Sequence, residues 1–227
     1  MSEPLVALRD IRFAYEPQRP VLEGLDFQLE PRERVGLLGP TGSGKTTLLH
    51  LVVGLLRPGA GTVEVFGRER RAEADFLEVR RRAGLLFQDP DDQLFCPTVA
   101  EDVAFGPLNL GRSRDEVQAL VARTLDALGL GAYGERVTYK LSGGEKRLVS
   151  LATVLAMEPD VLLLDEPTSG LDEDSERRLL DILLGLPLAM VVVSHDRRFV
   201  ARIATRSLRL RGGRLHPAAG PERGDER

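Results

Sequence analysis

The sequence predicts an α/β fold with a mostly parallel central sheet, and three observations carry that expectation. Four short apolar runs, over 35–38, 84–87, 161–164 and 190–194, lack the polar alternation of a half-exposed strand and read as strands covered on both faces. Helical patterns alternate with them, as the crossovers of a parallel sheet require. The chain has 227 residues, 42% hydrophobic and 29% charged, which supports a buried core in one large domain.

Taken in order, residues 5–14, 24–29 and 62–66 read as further strands in the first third of the chain. The run 35–38 leads through a glycine-rich turn into an apolar helix over 47–56. The clearest helix covers 114–128. Ser113 and Glu116 form a capping box there, Val117, Leu120, Val121, Thr124, Leu125 and Leu128 make one face, and Gly129 closes it. Residues 172–184 read as an amphipathic helix with acids in its first turn and Gly185 at its end. The segment 91–146 breaks the strand–helix alternation and is mostly helical, so it reads as an inserted helical subdomain. The expected division is one domain over 1–217, with a catalytic core over 1–90 and 147–217, the insertion over 91–146, and a polar tail over 218–227.

Composition removes several function classes. With 31 basic against 35 acidic residues the net charge is −4, so nucleic acid is not an expected partner. The arginines at 68, 70, 71 and 80–82 read as solvated faces of a hairpin and a helix. The single cysteine, Cys96, excludes a disulfide framework, fits a reducing compartment and reads as a small packed residue. Three histidines, far apart, give no metal-finger spacing. The uncharged run 182–194 is too short to cross a bilayer and is interrupted by Gly185 and Pro187. Residues 1–4 carry no secretory leader pattern, so a cytosolic protein is expected.

The chemistry starts at Gly39-Pro40-Thr41-Gly42-Ser43-Gly44-Lys45-Thr46, which matches G-x-x-x-x-G-K-[ST] between a strand and a helix. Glycines let the backbone wrap phosphates, so that N–H groups and a helix N-terminus face the anion. Lys45 is expected to reach the β- and γ-phosphates and the Thr46 hydroxyl to bind Mg²⁺. A nucleoside triphosphate site follows. Asp165 and Glu166 end the strand 161–164, at the sheet edge where open parallel sheets bind ligands. Asp165 suits Mg²⁺, and Glu166 suits a base for the water attacking the γ-phosphate, the alternative being a helix-capping acid pair. His195 follows the strand 190–194 and either bridges γ-phosphate and water or is structural. Gln88 follows 84–87 and is placed to sense Mg²⁺ or water. Four strand ends thus deliver chemistry to one edge. A second anion-binding turn, Ser142-Gly143-Gly144, opens an apolar helix over 145–157 and makes most sense if it serves a neighbouring chain, the alternative being a plain N-cap.

The run Leu141-Ser142-Gly143-Gly144-Glu145-Lys146-Arg147, eighteen residues before Asp165, is similar to the signature of ATP-binding cassette (ABC) ATPases. The resemblance covers about residues 4–216. It implies a P-loop NTPase fold with an N-terminal antiparallel β subdomain and an inserted helical subdomain, acting as an Mg-dependent ATPase. It makes Tyr15 the aromatic that stacks on adenine and places Gly39, Pro40, Thr41, Gly42, Ser43, Gly44, Lys45, Thr46 and Thr47 on the nucleotide. Thr46, Gln88 and Asp165 then hold Mg²⁺, Glu166 is the catalytic glutamate, His195 the switch histidine, and 169–172 the D-loop. It also implies a head-to-tail dimer, with itself or a paralogue, in which Ser142, Gly143 and Gly144 complete the partner's ATP site. Glu145 departs from the glutamine commoner in the family, a variant found in some subfamilies.

A narrower resemblance lies in Phe87-Gln88-Asp89-Pro90-Asp91-Asp92-Gln93-Leu94-Phe95 and in 101–109, which look like the ATPase subunit of energy-coupling-factor importers of vitamins or cobalt and nickel ions. That likeness implies a transmembrane coupling subunit touching Asp91 and Asp92 through arginines, a separate substrate-binding membrane subunit, and a peripheral location on the cytoplasmic face of the membrane. The runs 105–110 and 143–147 lean towards cobalt and nickel. The rival readings are a soluble ABC ATPase acting on DNA or the ribosome, for which no coiled-coil insertion, zinc module or second cassette is present, and a P-loop kinase or GTPase, which leaves 141–147 unexplained.

Overall fold

The computed structural model describes residues 3–218. Two sheets form around the predicted runs. β1 (Val6–Glu16), β2 (Arg19–Leu29), β4 (Ala60–Val65) and β5 (Arg68–Glu69) make an antiparallel sheet in the order β2-β1-β4-β5. β3 (Arg34–Leu38), β6 (Ala83–Leu86), β7 (Val161–Asp165), β8 (Ala189–Val193), β9 (Arg206–Arg211) and β10 (Arg214–Pro217) make the second, in the order β10-β9-β3-β8-β7-β6. All its pairings are parallel except β9 with β10.

The central strands are apolar throughout because each of their faces meets a different core. Val35, Leu37, Val161, Leu163, Val191 and Val193 point to one side, where they pack with the antiparallel sheet and α1 (Lys45–Val52). Leu162, Leu164, Met190 and Val192 point to the other and pack with helices. Those helices include α3 (Val99–Asn109), α4 (Arg114–Ala127), α5 (Gly143–Leu155), α6 (Glu173–Gly185) and α7 (Arg197–Ile203), while α2 (Glu73–Arg82) supplies Phe76 and Val79 to the first core. The period-2 alternation of a strand survives; only the polar half of the pattern is gone.

Helix ends differ from the sequence expectation in α1, α5 and α6. α1 stops at Val52 rather than 56, because Gly54 turns left-handed at φ +70° with the Phe76 ring packed directly against it. α5 begins at Gly143, two residues early. Ser142 Oγ accepts from the Glu145 N–H at 3.3 Å and Glu145 accepts from the Ser142 N–H at 2.8 Å, a reciprocal capping box. The boundary drawn between 146 and 147 therefore falls inside a continuous helix. α6 includes Gly185, which has no positive φ, and the helix ends because Leu186 precedes Pro187 and is driven into the extended region at φ −83°, ψ 128°. The Ser113–Glu116 capping box and Gly129 at φ +63° stand as expected around α4.

The arginine-rich stretches are not simply solvated. Arg70 is buried; its Nε and Nη2 donate to the Val65 carbonyl and its Nη1 to the Asp75 carbonyl and Glu78. Arg80 donates to the Val53 and Gly54 carbonyls at the end of α1 and pairs with Glu73. In the insertion, buried Asp102 accepts from the Phe95 and Cys96 N–H groups and from the Thr138 hydroxyl, tying the segment before α3 to the one before α5. Burial and Asp102 push the Cys96 thiol up to about 11, which leaves it protonated and inert at neutral pH. Of the polar tail expected over 218–227 only Ala218 is described, its N–H on the Ser207 carbonyl at 3.0 Å; the rest lies outside the described residues.

Gly54→Ala combines a left-handed backbone with a methyl group 2.3 Å from the Phe76 ring. We expect it to lower stability by about 2–4 kcal/mol, the sum of overpacking and left-handed strain. Urea denaturation checks this, and an unchanged midpoint would contradict it.

Candidate nucleotide and metal site

The parallel strands β3, β7 and β8 end at one edge, and each hands a functional group to it. After β3 the chain enters the glycine loop. A Cβ on Gly39 would lie 2.8 Å from the Leu210 carbonyl and one on Gly44 would lie 2.8 Å from Val21, so both positions are closed by packing. Gly42, at φ +76°, is different: a Cβ there would meet nothing within 4 Å and would stand in the cleft. The first turn of α1 has N–H groups without intrahelical partners. No side chain caps them, and no acid stands in that turn to compete with an incoming anion. Lys45 is buried and folds its ammonium back onto the loop, donating to the Gly39 carbonyl at 2.9 Å and the Pro40 carbonyl at 3.1 Å. Those are donors that a phosphate could take over.

Asp165, at the tip of β7, is 2% exposed and its Oδ1 has no hydrogen-bond partner. Burial pushes its carboxyl above the ordinary range, with the Thr46 hydroxyl acting against that and the Glu166 charge adding to it. An orphaned buried carboxylate oxygen beside a threonine hydroxyl is a hard-oxygen donor set, which fits Mg²⁺. That ion commonly takes only one or two protein carboxylates and completes its shell with water and substrate phosphates. No group of three or more His, Cys, Asp or Glu placed to hold a metal ion occurs among the described residues.

Glu166 follows in a left-handed conformation, φ +45°, held by its N–H on the Val193 carbonyl at 2.9 Å. The turn aims the carboxylate across to β8. There Oε2 accepts from the His195 N–H at 3.2 Å and pairs with His195 Nδ1 at 2.9 Å. Nδ1 faces the carboxylate as donor, so the other ring nitrogen is left for the cleft, and the His195 side chain is 74% exposed. Gln88 lies two residues past β6, exposed. Tyr15 is the penultimate residue of β1 and 62% exposed, its ring edge-on to Phe13 at 4.9 Å and its hydroxyl 3.1 Å from Thr47 Oγ1.

One cleft of about 470 Å³ gathers Tyr15, Thr41, Gly42, Gly44, Lys45, Thr46, Thr47, Gln88, Asp165, Glu166 and His195. Gly39, Pro40 and Ser43 shape the same loop from behind. Ser142, Gly143 and Gly144 are not brought to this cleft; they stand at the N-terminus of α5, where a Cβ on Gly144 would meet Ser175 and one on Gly143 would approach the Gly170 carbonyl. Asp91, expected to face another subunit, pairs with Lys146. Two residues escaped the sequence reading. His50 lies four residues beyond Thr46 on the same face of α1, and burial lowers its pKa while Asp165 raises it. That spacing was the available signal. Arg147 is buried beneath Gln88, and nothing local in the sequence marks it as more than part of a motif.

Comparison with known proteins agrees with this geometry. Residues 22–169 match the ABC transporter family. A Brucella suis biovar 1 protein, provisionally named an ABC transporter ATP-binding protein, is 52% identical over 95% of this chain and 90% of its own length. The energy-coupling factor transporter ATP-binding protein of Methanothermobacter thermautotrophicus is 42% identical over 93% of this chain and 69% of its own. Among solved structures, CbiO1 from Clostridium perfringens, described as part of the ABC transporter complex cbiONQ, superposes with a TM-score of 0.88 at 29% identity, covering 97% of this chain and 90% of that one. The chain belongs to the ABC transporter family and is one of its ATP-binding, ATP-hydrolysing domains.

Proposed function

We propose that this chain is the ATP-hydrolysing subunit of a membrane importer of the energy-coupling-factor type, driving uptake of a transition-metal ion such as cobalt or nickel, or of a vitamin. The chemistry follows from the cleft. The triphosphate of the substrate lies against the loop N–H groups and Lys45, and adenine stacks on the exposed Tyr15 ring. Thr46, Asp165 and Gln88 hold Mg²⁺, which when bound neutralises phosphate charge and orients the β- and γ-groups for in-line displacement. Glu166 takes the proton of the attacking water as its oxygen bonds to the γ-phosphorus and the bond to ADP breaks. His195, fixed through Nδ1 on Glu166, positions that water with its other nitrogen. Ser142, Gly143 and Gly144 complete the site of a second ATPase subunit, identical or paralogous, arranged head to tail.

One observation carries the transport reading. An apolar groove of about 320 Å³ opens beside the Gln88 loop, lined by Leu55, Phe87, Phe95, Phe105 and Met157. Phe95 is 65% exposed and stacks edge-on with Phe105 at 4.8 Å, and exposed Asp92, with no ion pair among the described residues, also lines the groove. An exposed aromatic pair with an acidic rim suits a cationic, amphipathic helix from a transmembrane coupling subunit. Phe87, in the same groove, directly precedes Gln88 of the nucleotide cleft, so a partner seated there would bear on that glutamine through the backbone. Among the described residues no helix is long and apolar enough to cross a membrane. Attachment to the cytoplasmic face would come through that partner and the substrate-binding membrane subunit. Two of the three proteins compared, an energy-coupling-factor ATP-binding protein and a component of an ABC transporter complex, support the same reading.

Glu166→Gln should lower kcat by about 10²–10⁴ while ATP affinity stays within about threefold, since a general base acts on the reaction and not on binding. Stopped-time phosphate release measures it, and ordinary turnover would remove Glu166 from the role of base. Mild-detergent purification of the tagged chain should recover a polytopic membrane subunit and a smaller second one, whose bound ligand names the cargo. Recovery with DNA or ribosomal proteins instead would sink the transport reading and leave the ATPase standing. Phe95→Glu should cut recovery of the polytopic subunit about tenfold without changing ATP binding, as expected for an aromatic anchor. Undiminished recovery would place the partner elsewhere.

A further inference from the structure

We propose that Arg147 is a positioning residue for hydrolysis, pinning the Gln88 loop to α5 so that one helix carries both the turn offered to a second subunit and the mount of the glutamine in its own site. This rests on the reading of Gln88 as a ligand or sensor of Mg²⁺ and water.

Arg147 is 2% exposed and heads the fully buried side chains by size. Among the described residues its guanidinium forms no ion pair. Instead Nη1 donates to the Phe87 carbonyl at 2.6 Å, Nη2 donates to the next carbonyl, that of Gln88, and Nε is buried without a partner. A buried charge is costly, and an apolar chain of the same length would fill the space at lower cost. What the guanidinium adds is a planar fork that fixes two successive carbonyls in one orientation. The same stretch is held twice more from α5. Gln93 accepts from the Phe87 N–H at 3.2 Å and donates to the Ser150 carbonyl at 2.8 Å and to Thr153 Oγ1 at 2.7 Å, and Lys146 pairs with Asp91. Both backbone groups of Phe87 and the carbonyl of Gln88 are thus fixed relative to α5, while the Gln88 side chain makes no hydrogen bond among the described residues. The backbone is clamped and the carboxamide is free to reach into the cleft. Because Ser142, Gly143 and Gly144 cap the same helix one turn earlier, a shift of α5 caused by a second subunit's nucleotide would move Gln88 with it.

The test is a mutant cycle on the purified full chain, reading kcat, KM for ATP and the Mg²⁺ concentration for half-maximal rate. Arg147→Met should lower kcat about tenfold or more and raise the Mg²⁺ requirement about fivefold, with KM for ATP within about twofold, a split that a general loss of fold would not give. Arg147→Lys, which can still reach one carbonyl, should recover part of the rate, and it carries the same readouts if Arg147→Met does not fold. In a Gln88→Ala background, Arg147→Met should add less than about twofold, because the two act as one unit. Losses that multiply in the double variant, or a wild-type Mg²⁺ profile for Arg147→Met, overturn the proposal and leave Gln88 in place. Wild-type behaviour of Gln88→Ala alone overturns the reading of Gln88 and the proposal with it.

Discussion

Burial of β7 and β8 on both faces is the constraint from which the rest follows. Their side chains are shared between two cores, one under the antiparallel sheet and one under the helices. No polar group can be placed along such a strand without an unpaired donor or acceptor in the interior. Chemistry is therefore confined to strand ends, and parallel strands put their carboxyl ends on one edge. Asp165, Glu166 and His195 sit there because the apolar residues behind them fix where the strands stop, and the loop after β3 joins them because β3 lies beside β8.

At that edge, charges are balanced across neighbours rather than in isolated pairs. Lys45 rests on loop carbonyls, Asp165 keeps one oxygen without a partner, and Glu166 is anchored through His195. Each is partly satisfied in a way that a triphosphate and a divalent cation would complete. A fully satisfied network would be more stable and would bind nothing. The left-handed backbone of Glu166 belongs to the same economy, since the strain is held by the Val193 hydrogen bond and sets the carboxylate's direction.

What was legible in the sequence was whatever depends on local spacing. The apolar runs, the capping box around α4 and the glycine loop announce themselves within ten residues. The acids, the histidine and the glutamine are each marked by directly following an apolar run, although the three runs lie far apart. What was not legible depends on partners far away in sequence. Gly185 resembles a helix stop, but the extended conformation imposed by Pro187 ends α6. Arg70, in a run that reads as solvated, closes its hydrogen bonds on Val65, Asp75 and Glu78 and is buried. Arg147 reads as one letter of a motif, and its meaning lies sixty residues back, at Phe87. The end of α1 was misplaced for the same reason, because the Phe76 ring that closes over Gly54 comes from a different helix.

The chain has two turns suited to anions, and only one faces its own cleft. The other, at the start of α5, is closed by the Ser142–Glu145 capping box, unlike the uncapped first turn of α1, and does not line the cleft. In the proposed function the second turn closes over the nucleotide of another subunit. The most direct measurement is the sedimentation mass of the Glu166→Gln chain with saturating ATP and Mg²⁺, alone and with Gly144→Asp added. The 25.0 kDa chain should double its mass on adding nucleotide, and the added aspartate, an anion against an anion, should return it to a single chain. A chain that stays single with nucleotide bound, or doubles regardless of residue 144, would contradict it.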